Sequence, residues 1–306
     1  MSKFIKSGSS SLLIGNGHYG KYVSSLNLNK LLKITKVTEE HNEFKILPYV
    51  KRIENYENYY CIPEDLSFII KPSDHFYEYI KSISLDEDTD IFVGNQNLQC
   101  NFIQNAGNYE LLDTINELFD EDFTFWTSYN NILLFAKQLM LAIHYLHNNK
   151  ICHLDIKPEN IIVNKLIFSF KLIDFGFSSI EPFDDFIKNP KGTPGYFPRD
   201  YGCVNINDIF PQINANDMIS VLGIVPVIKH RKLIYKIDSF CFGRVLYCLM
   251  KTFENHKESD NCCFSWKSKS QKKIQKICND LLDDNVYTRS TIKDCLIRYC
   301  DFNSYI

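Results

Sequence analysis

The chain has 306 residues, of which 45% are hydrophobic and 23% are charged, a composition typical of globular proteins. Its net charge of -3 excludes the strong basic field with which many proteins bind nucleic acids or anionic membranes, so neither partner is predicted. The N-terminal residues are too polar for a signal peptide, no apolar run is long enough to span a bilayer, and the eleven cysteines lack zinc-type spacing, so we expect a reducing, cytoplasmic location.

The first hundred residues have the pattern of a small β-sheet. Apolar runs between turn-forming clusters predict strands over Ser11–Ile14, Leu31–Val37, Tyr59–Ile62 and Leu98–Ile103. One amphipathic segment, Glu40–Ile53, interrupts them and predicts a helix, although Pro48 is unfavourable inside it.

From about Gly107 onward the pattern is helical. Ile132–His147 has apolar residues at intervals of three and four, which predicts a long helix with one buried face. Asp238–Met250 is almost entirely apolar and predicts a helix that is buried on every side. The stretch Lys251–Lys273 is too polar to predict a further full helix.

A glycine motif lies near the start of the chain, in the run from Ile14 to Val23. Gly15, Gly17 and Gly20 form a Gly-x-Gly-x-x-Gly pattern, and glycines let a backbone approach phosphate oxygens that a Cβ would push away. The motif alone is a weak signal, because dinucleotide-binding folds share its spacing. Its place between predicted strands disfavours a dinucleotide-binding turn, which would precede a helix.

The strongest functional signal is a group of four polar residues on two neighbouring loops. Asp155, Lys157 and Asn160 lie in one short segment, and Asp174 begins the following Asp174-Phe175-Gly176. Two carboxylates, an ammonium and an amide are what is needed to move a phosphoryl group from a metal-bound nucleotide to a hydroxyl. For any single one of these residues, capping of a turn is the simpler interpretation. The combination of all four favours a catalytic role.

These motifs resemble those of eukaryotic-type protein kinases, and Lys157-Pro158-Glu159-Asn160 is similar to their serine/threonine branch. The resemblance extends from about Leu12 to Leu296. It implies an α+β, two-lobed protein kinase-like fold, with a small antiparallel-sheet N-lobe that binds nucleotide at residues 1–105. A larger α-helical C-lobe with the catalytic and substrate-binding residues would follow at 106–306, and the two lobes together would form one protein kinase domain.

The resemblance also implies a role for each polar residue. Asp155 would orient the acceptor hydroxyl and take its proton as the catalytic base, which suits a carboxylate because it only accepts hydrogen bonds when ionised. Lys157 would offset charge on the γ-phosphate of ATP. Asn160 and Asp174 would bind Mg²⁺, with Mn²⁺ as an alternative metal, because these ions prefer oxygen ligands.

Thr193, in Gly192-Thr193-Pro194-Gly195-Tyr196, resembles the threonine of the family's substrate-binding loop and would bond with Asp155 and Lys157. Small-molecule phosphotransferases lack this segment, so it favours protein substrates. A simple Thr-Pro-Gly turn is the alternative interpretation.

The nucleotide-binding residues that the resemblance implies are Ile14, Gly15, Gly17, Gly20, Val23, Lys33 and Glu43. Lys33 would hold the α- and β-phosphates, and Lys36 is the alternative candidate for this lysine. Glu43 would be the acidic partner of whichever lysine binds the phosphates. The alternative for the lysine and the glutamate is a solvated surface position, which is usual for both residue types.

Three supporting contacts are also implied. His153 would pack on Phe175 and have no acid–base role, and Asp238 would anchor the backbone of the catalytic loop. Asp200 would pair with Arg289.

The resemblance implies an ATP- and Mg²⁺-dependent serine/threonine protein kinase that phosphorylates protein substrates and is monomeric. Leu154 stands where most of the family has an arginine that pairs with a phosphate, so we expect activity without phosphorylation of the activation segment. The alternative is a pseudokinase that acts as a nucleotide-binding or scaffold module.

Two further features depart from the family pattern. Residues 202–233 form an insertion, for which altered substrate or partner docking and a plain surface loop both stay open. The short N-lobe and the bias toward residues with AT-rich codons favour a large DNA virus or an AT-rich protist as the source. In the viral case the protein would lie in the host-cell cytoplasm or the virion.

Overall fold

The computed structural model describes residues 13–17, 20–24, 30–36, 42–75, 97–104, 106–107, 109–116, 128–164, 166–184, 186, 192–198, 231–259 and 268–300. Packing divides the chain into two compact units. The first contains Met1–His41 and Cys61–Asn108, and the second contains Asn42–Tyr60 and Tyr109–Ile306.

The first unit is built on a five-stranded antiparallel sheet with the strand order β1-β2-β3-β5-β4. Its strands are β1 (Leu13–Gly17), β2 (Gly20–Ser24), β3 (Lys30–Lys36), β4 (Pro63–Ile70) and β5 (Leu98–Gln104). The predicted strands Leu31–Val37 and Leu98–Ile103 are therefore confirmed within one residue at each end. Of the strand predicted over Ser11–Ile14, Ser11 and Leu12 lie outside the described residues, while Leu13 and Ile14 begin β1, which continues through the glycine motif to Gly17, the partner of Gly20.

The strand predicted over Tyr59–Ile62 is wrong, because β4 begins only at Pro63. Tyr60 makes an isolated parallel bridge with Leu172, and its hydroxyl donates to the carbonyl of Ala142 at 2.6 Å. The apolar run thus indicates a buried segment of the chain, not a strand that is hydrogen-bonded within a sheet. Proline is tolerated as the first residue of a strand, where its missing N–H costs little.

The second unit is mainly helical. Within the part of this unit that the structure describes, the α-helices are α1 (Asn42–Val50), α2 (Leu111–Asn116), α3 (Tyr129–Asn148), α4 (Tyr235–Ser259), α5 (Lys269–Leu281) and α6 (Ile292–Tyr299). The helix predicted over Glu40–Ile53 is confirmed as the shorter α1, in which Pro48 lies near the C-terminal end. Within the described parts of the chain, no helix is long and apolar enough to cross a membrane.

The long helix predicted over Ile132–His147 is confirmed as α3. The Ser128 side chain caps its N-terminus by accepting a hydrogen bond from the N–H of Asn130 at 3.2 Å. Phe135 is buried in the middle of the helix, with its ring centroid 4.9 Å from that of Phe170 and 6.2 Å from that of Phe242 in α4. These contacts place α3 and α4 side by side in the core.

The helix predicted over Asp238–Met250 is confirmed as the central part of α4, but it is not buried on every side, because Tyr247 is 36% exposed. Both ends of the polar stretch Lys251–Lys273 are helical, although no separate helix lies wholly within its described residues. The helix continues to Ser259, and α5 begins at Lys269. Lys269 and Lys272 lie on the exposed face of α5, while Ile274 and Ile277 are buried. Of the insertion at 202–233, only residues 231–233 are among those described.

Two small sheets position the loops that carry the polar residues. One has the strand order β6 (Tyr109–Glu110), β8 (Ile161–Asn164) and β9 (Ser169–Leu172), and the other pairs β7 (Ile151–Cys152) with β10 (Ser179–Ile180). The loop with Asp155 lies between β7 and β8, and the loop with Asp174 follows β9. Both loops are thus held at each end by strands of the second unit.

Candidate active site

Asp238 fixes the backbone of the loop that follows β7, as predicted. Its carboxylate is fully buried and accepts hydrogen bonds from the N–H groups of His153, at 2.9 Å, and Leu154, at 2.8 Å. Nε2 of His147 lies 2.9 Å from the same carboxylate. A buried carboxylate without partners would be costly, and these three partners compensate for its burial. Sequence reasoning missed His147, because nothing in the apolar pattern of α3 marks it.

Asp155 is the centre of a cluster that contains three of the other predicted residues. Asn160 Nδ2 donates to Asp155 Oδ2 at 2.9 Å and to its backbone carbonyl at 2.8 Å. Thr193 Oγ1 donates to Asp155 Oδ1 at 2.5 Å, and Lys157 Nζ lies 3.3 Å from Oδ2. Lys157 Nζ also donates to Thr193 Oγ1 at 3.1 Å. These contacts hold the carboxylate in one orientation.

The arrangement leaves Asp155 able to accept a proton. The residue is only 7% exposed, so few water molecules compete for its oxygens. Each carboxylate oxygen can accept about two hydrogen bonds. Oδ1 accepts one from Thr193, which leaves a lone pair for the hydroxyl of an acceptor. The cation of Lys157, beside the same carboxylate, is suited to a transferring phosphate.

His153 has a structural role, as predicted. Its ring centroid lies 4.9 Å from that of Phe175. Nε2 lies 3.0 Å from the carbonyl oxygen of Ile173, which can only accept, and Nδ1 accepts from the N–H of Asp155 at 3.4 Å. Both ring nitrogens thus have backbone partners, so neither is free for proton transfer. Tyr60, which sequence reasoning missed, packs edge-on against Phe175 at 5.8 Å.

Asn160 and Asp174 offer the oxygen donors of a metal site. The Nδ2 atom of Asn160 is used by Asp155, so its amide oxygen is directed elsewhere. The N–H of Ile173 donates to the Asn160 carbonyl at 3.0 Å, which brings the residue before Asp174 against Asn160. Asp174 has a φ of 61°, and only its Oδ1 accepts a bond from the described residues, at 3.1 Å from the N–H of Gly176. Amide and carboxylate oxygens fit Mg²⁺, which binds few protein ligands.

The segment 192–198 is shaped by tight packing. A Cβ on Gly192 would lie 1.9 Å from the Phe197 ring, so this position needs glycine. Gly195 has a φ of 86°, and its carbonyl accepts a hydrogen bond from Nε of Arg244 in α4 at 3.1 Å. Burial raises the pKa of Tyr196, with the nearby Glu159 adding to the shift. Thr193 is therefore presented to Asp155 by a well-anchored loop.

The predicted pair of Asp200 and Arg289 lies partly outside the described residues, because Asp200 is not among them. Arg289 itself is buried, and its Nε donates to the carbonyl of Asp283 at 2.8 Å. Its guanidinium lies 4.8 Å from the centroid of the Phe240 ring.

The residues predicted to bind nucleotide belong to both units. Ile14, Gly15 and Gly17 lie in β1, and Gly20 and Val23 lie in β2, where the structure describes their backbone.

Lys33 lies in β3, opposite Tyr22 and Asn101, and is 5% exposed. Glu43 lies in the first turn of α1 and is 6% exposed. The solvated-surface alternative for these two charges is therefore wrong.

The protein kinase domain family model matches residues 12–201 of the chain. The carbon catabolite-derepressing protein kinase of Candida albicans is 39% identical over 64 residues, and the serine/threonine-protein kinase prpf4B of Dictyostelium discoideum is 49% identical over 49 residues. Human myosin light chain kinase 3 is 39% identical over 83 residues.

These three matches cover 21%, 16% and 26% of the chain but only 10%, 6% and 10% of the relatives. The chain thus spans a tenth or less of the length of each of these relatives. The family model, in contrast, covers more than half of the chain. The chain therefore belongs to the protein kinase family.

Proposed function

We propose that the protein is a serine/threonine protein kinase that transfers the γ-phosphate of ATP to serine and threonine hydroxyls of protein substrates. The observation that carries this proposal is the cluster around Asp155, in which Thr193, Asn160 and Lys157 hold the carboxylate and leave Oδ1 able to accept one more hydrogen bond. A carboxylate so oriented can position an acceptor hydroxyl and take its proton.

The remaining residues supply charge neutralisation. Lys157 offsets the charge of the transferring phosphate, and the oxygens of Asn160 and Asp174 hold Mg²⁺ or Mn²⁺ with the nucleotide.

Lys33 binds the α- and β-phosphates, with Glu43 as its partner. The glycine motif, with Ile14 and Val23, covers the nucleotide. The burial of Lys33 and Glu43 supports this role, because buried charges need specific partners.

The kinase is proposed to be active without phosphorylation of its activation segment. Leu154 is fully buried, and its N–H is held by Asp238, so this position offers no cation to a phosphate. The loop therefore depends on Asp238 for its geometry. We further propose a monomeric, cytoplasmic enzyme.

The test is a transfer assay with the purified, phosphatase-treated chain, γ-labelled ATP and generic acceptor proteins. We expect label on serine and threonine but not on tyrosine, and loss of transfer when Mg²⁺ is chelated. Binding of ATP without any transfer would favour the pseudokinase alternative. Transfer that begins only after treatment with a second kinase would contradict the proposed independence from phosphorylation.

A further inference from the structure

One face of α4 carries a cation, an aromatic ring and a second cation in succession. Arg244, Tyr247 and Lys251 are spaced by three and four residues, so they share one face of the helix. The guanidinium carbon of Arg244 and the Nζ of Lys251 each lie 6.0 Å from the centroid of the Tyr247 ring. Tyr247 is 36% exposed, so the ring between the cations is open to solvent. We call these three residues the α4 cationic face.

The substrate-binding loop ties this face to the catalytic cluster. Arg244 Nε donates to the carbonyl of Gly195, and Thr193 donates to Asp155. Thr193 and Gly195 are two residues apart, which an extended chain spans in about 7 Å at most. A protein substrate whose hydroxyl lies at Asp155 therefore has its neighbouring residues, to within about two positions, near the guanidinium of Arg244.

Arg244 has donors left for a ligand. A guanidinium has five N–H donors, and only Nε has a hydrogen-bond partner among the described residues. In that same part of the chain, Arg244 has no carboxylate partner, whereas Lys251 pairs with Glu254 at 2.9 Å and Arg298 with Asp280 at 2.7 Å. The remaining N–H groups of Arg244 have the geometry to bind a carboxylate through two parallel bonds.

We propose that Arg244, supported by Tyr247, is a specificity-determining residue that binds an aspartate or glutamate side chain of the substrate within two residues of the acceptor hydroxyl. The inference rests on the proposed kinase function and adds a substrate class to it. An arginine held by an aromatic ring is preorganised, so it loses less side-chain freedom on binding a carboxylate than a free lysine would.

The test uses synthetic peptides with one serine acceptor that differ at a single flanking position, which is aspartate, asparagine or lysine. Each of the two positions on either side of the serine is scanned with the wild type, Arg244→Gln, Arg244→Glu and the control Arg298→Gln. An exposed ion pair stabilises by a few tenths to one kcal/mol, so we expect kcat/KM to be about two- to fivefold higher for the best aspartate peptide than for its asparagine partner. Arg298→Gln should keep this ratio, because its guanidinium is engaged by Asp280.

Arg244→Gln should abolish the preference, and Arg244→Glu should reverse it toward the lysine peptide at the same position. A reversal cannot come from misfolding, so it separates recognition from a structural role of the Gly195 bond. Equal kcat/KM of the wild type for aspartate and asparagine peptides at every position would overturn the inference and leave the kinase function standing. An aspartate preference retained by Arg244→Gln would overturn it too. Failure of the wild type to phosphorylate any of the peptides or generic acceptor proteins would contradict the kinase function itself.

Discussion

Asp238 anchors the catalytic loop, and the effect of replacing it can be worked out from its contacts. In Asp238→Ala, the backbone N–H groups of His153 and Leu154 both lose their buried acceptor. A buried donor left without a partner costs about 1–3 kcal/mol, so the free energy of unfolding should fall by about 2–6 kcal/mol. Asp238→Asn with its amide oxygen in the place of Oδ2 keeps the contacts with His147 and His153, so only the N–H of Leu154 is left unpaired and the cost should be about 1–3 kcal/mol.

The control is Asp284→Asn, which removes a charge from an exposed side chain. It should change the free energy of unfolding by less than about 0.5 kcal/mol. The assay is urea denaturation followed by far-ultraviolet circular dichroism, extrapolated to water for each variant. Equal stability of Asp238→Ala and Asp284→Asn would refute the anchoring role of Asp238. A larger loss of stability in Asp238→Asn than in Asp238→Ala would refute it as well.

Two further predictions concern single side chains. Thr193→Ala should lower kcat by about ten- to hundredfold, because hydrogen bonds to charged groups contribute about 1.5–3 kcal/mol, while Thr193→Ser should stay near the wild-type value in steady-state assays. Equal kcat for the two variants would contradict this. Burial, helped by the nearby His147 and Lys293, lowers the pKa of His144 from 6.5 to about 4, so the unfolded chain binds more protons between these pH values. The free energy of unfolding should therefore fall as the pH falls through this window, and His144→Gln should flatten the fall in denaturation curves. An unchanged slope in the variant would exclude His144 as the cause.

The parts of the site that could be predicted from sequence are those in which chemistry and local spacing coincide. Asp155, Lys157 and Asn160 lie within one short loop, so their contacts follow largely from the loop itself. The contact of Thr193 with Asp155 joins residues 38 positions apart, and only the family resemblance could suggest it. No sequence motif indicates a role for Arg244, and its contact with Gly195 joins residues 49 positions apart. Sequence spacing contains no information about that contact.

The fold could be predicted where the apolar residues recur at a regular spacing over a long segment. The helix α3 repeats its apolar residues over several turns, whereas the run Tyr59–Ile62 is too short to distinguish a strand from an irregular buried segment. The helix α5 was not predicted, because its buried residues, Ile274 and Ile277, lie beyond the polar stretch Lys251–Lys273. The polar residues of an amphipathic helix thus do not predict the helix unless the residues of its apolar face are considered with them.

The central claim is that Asp155 acts in the chemical step of phosphoryl transfer. The most direct measurement compares Asp155→Asn with the control Asp284→Asn in two assays, turnover of a protein substrate and calorimetric binding of ATP with Mg²⁺. Asp155→Asn should lower kcat by roughly 10²–10⁴-fold, as expected for the loss of a general base, and should keep the affinity for the nucleotide. Equal turnover by the two variants would contradict the account.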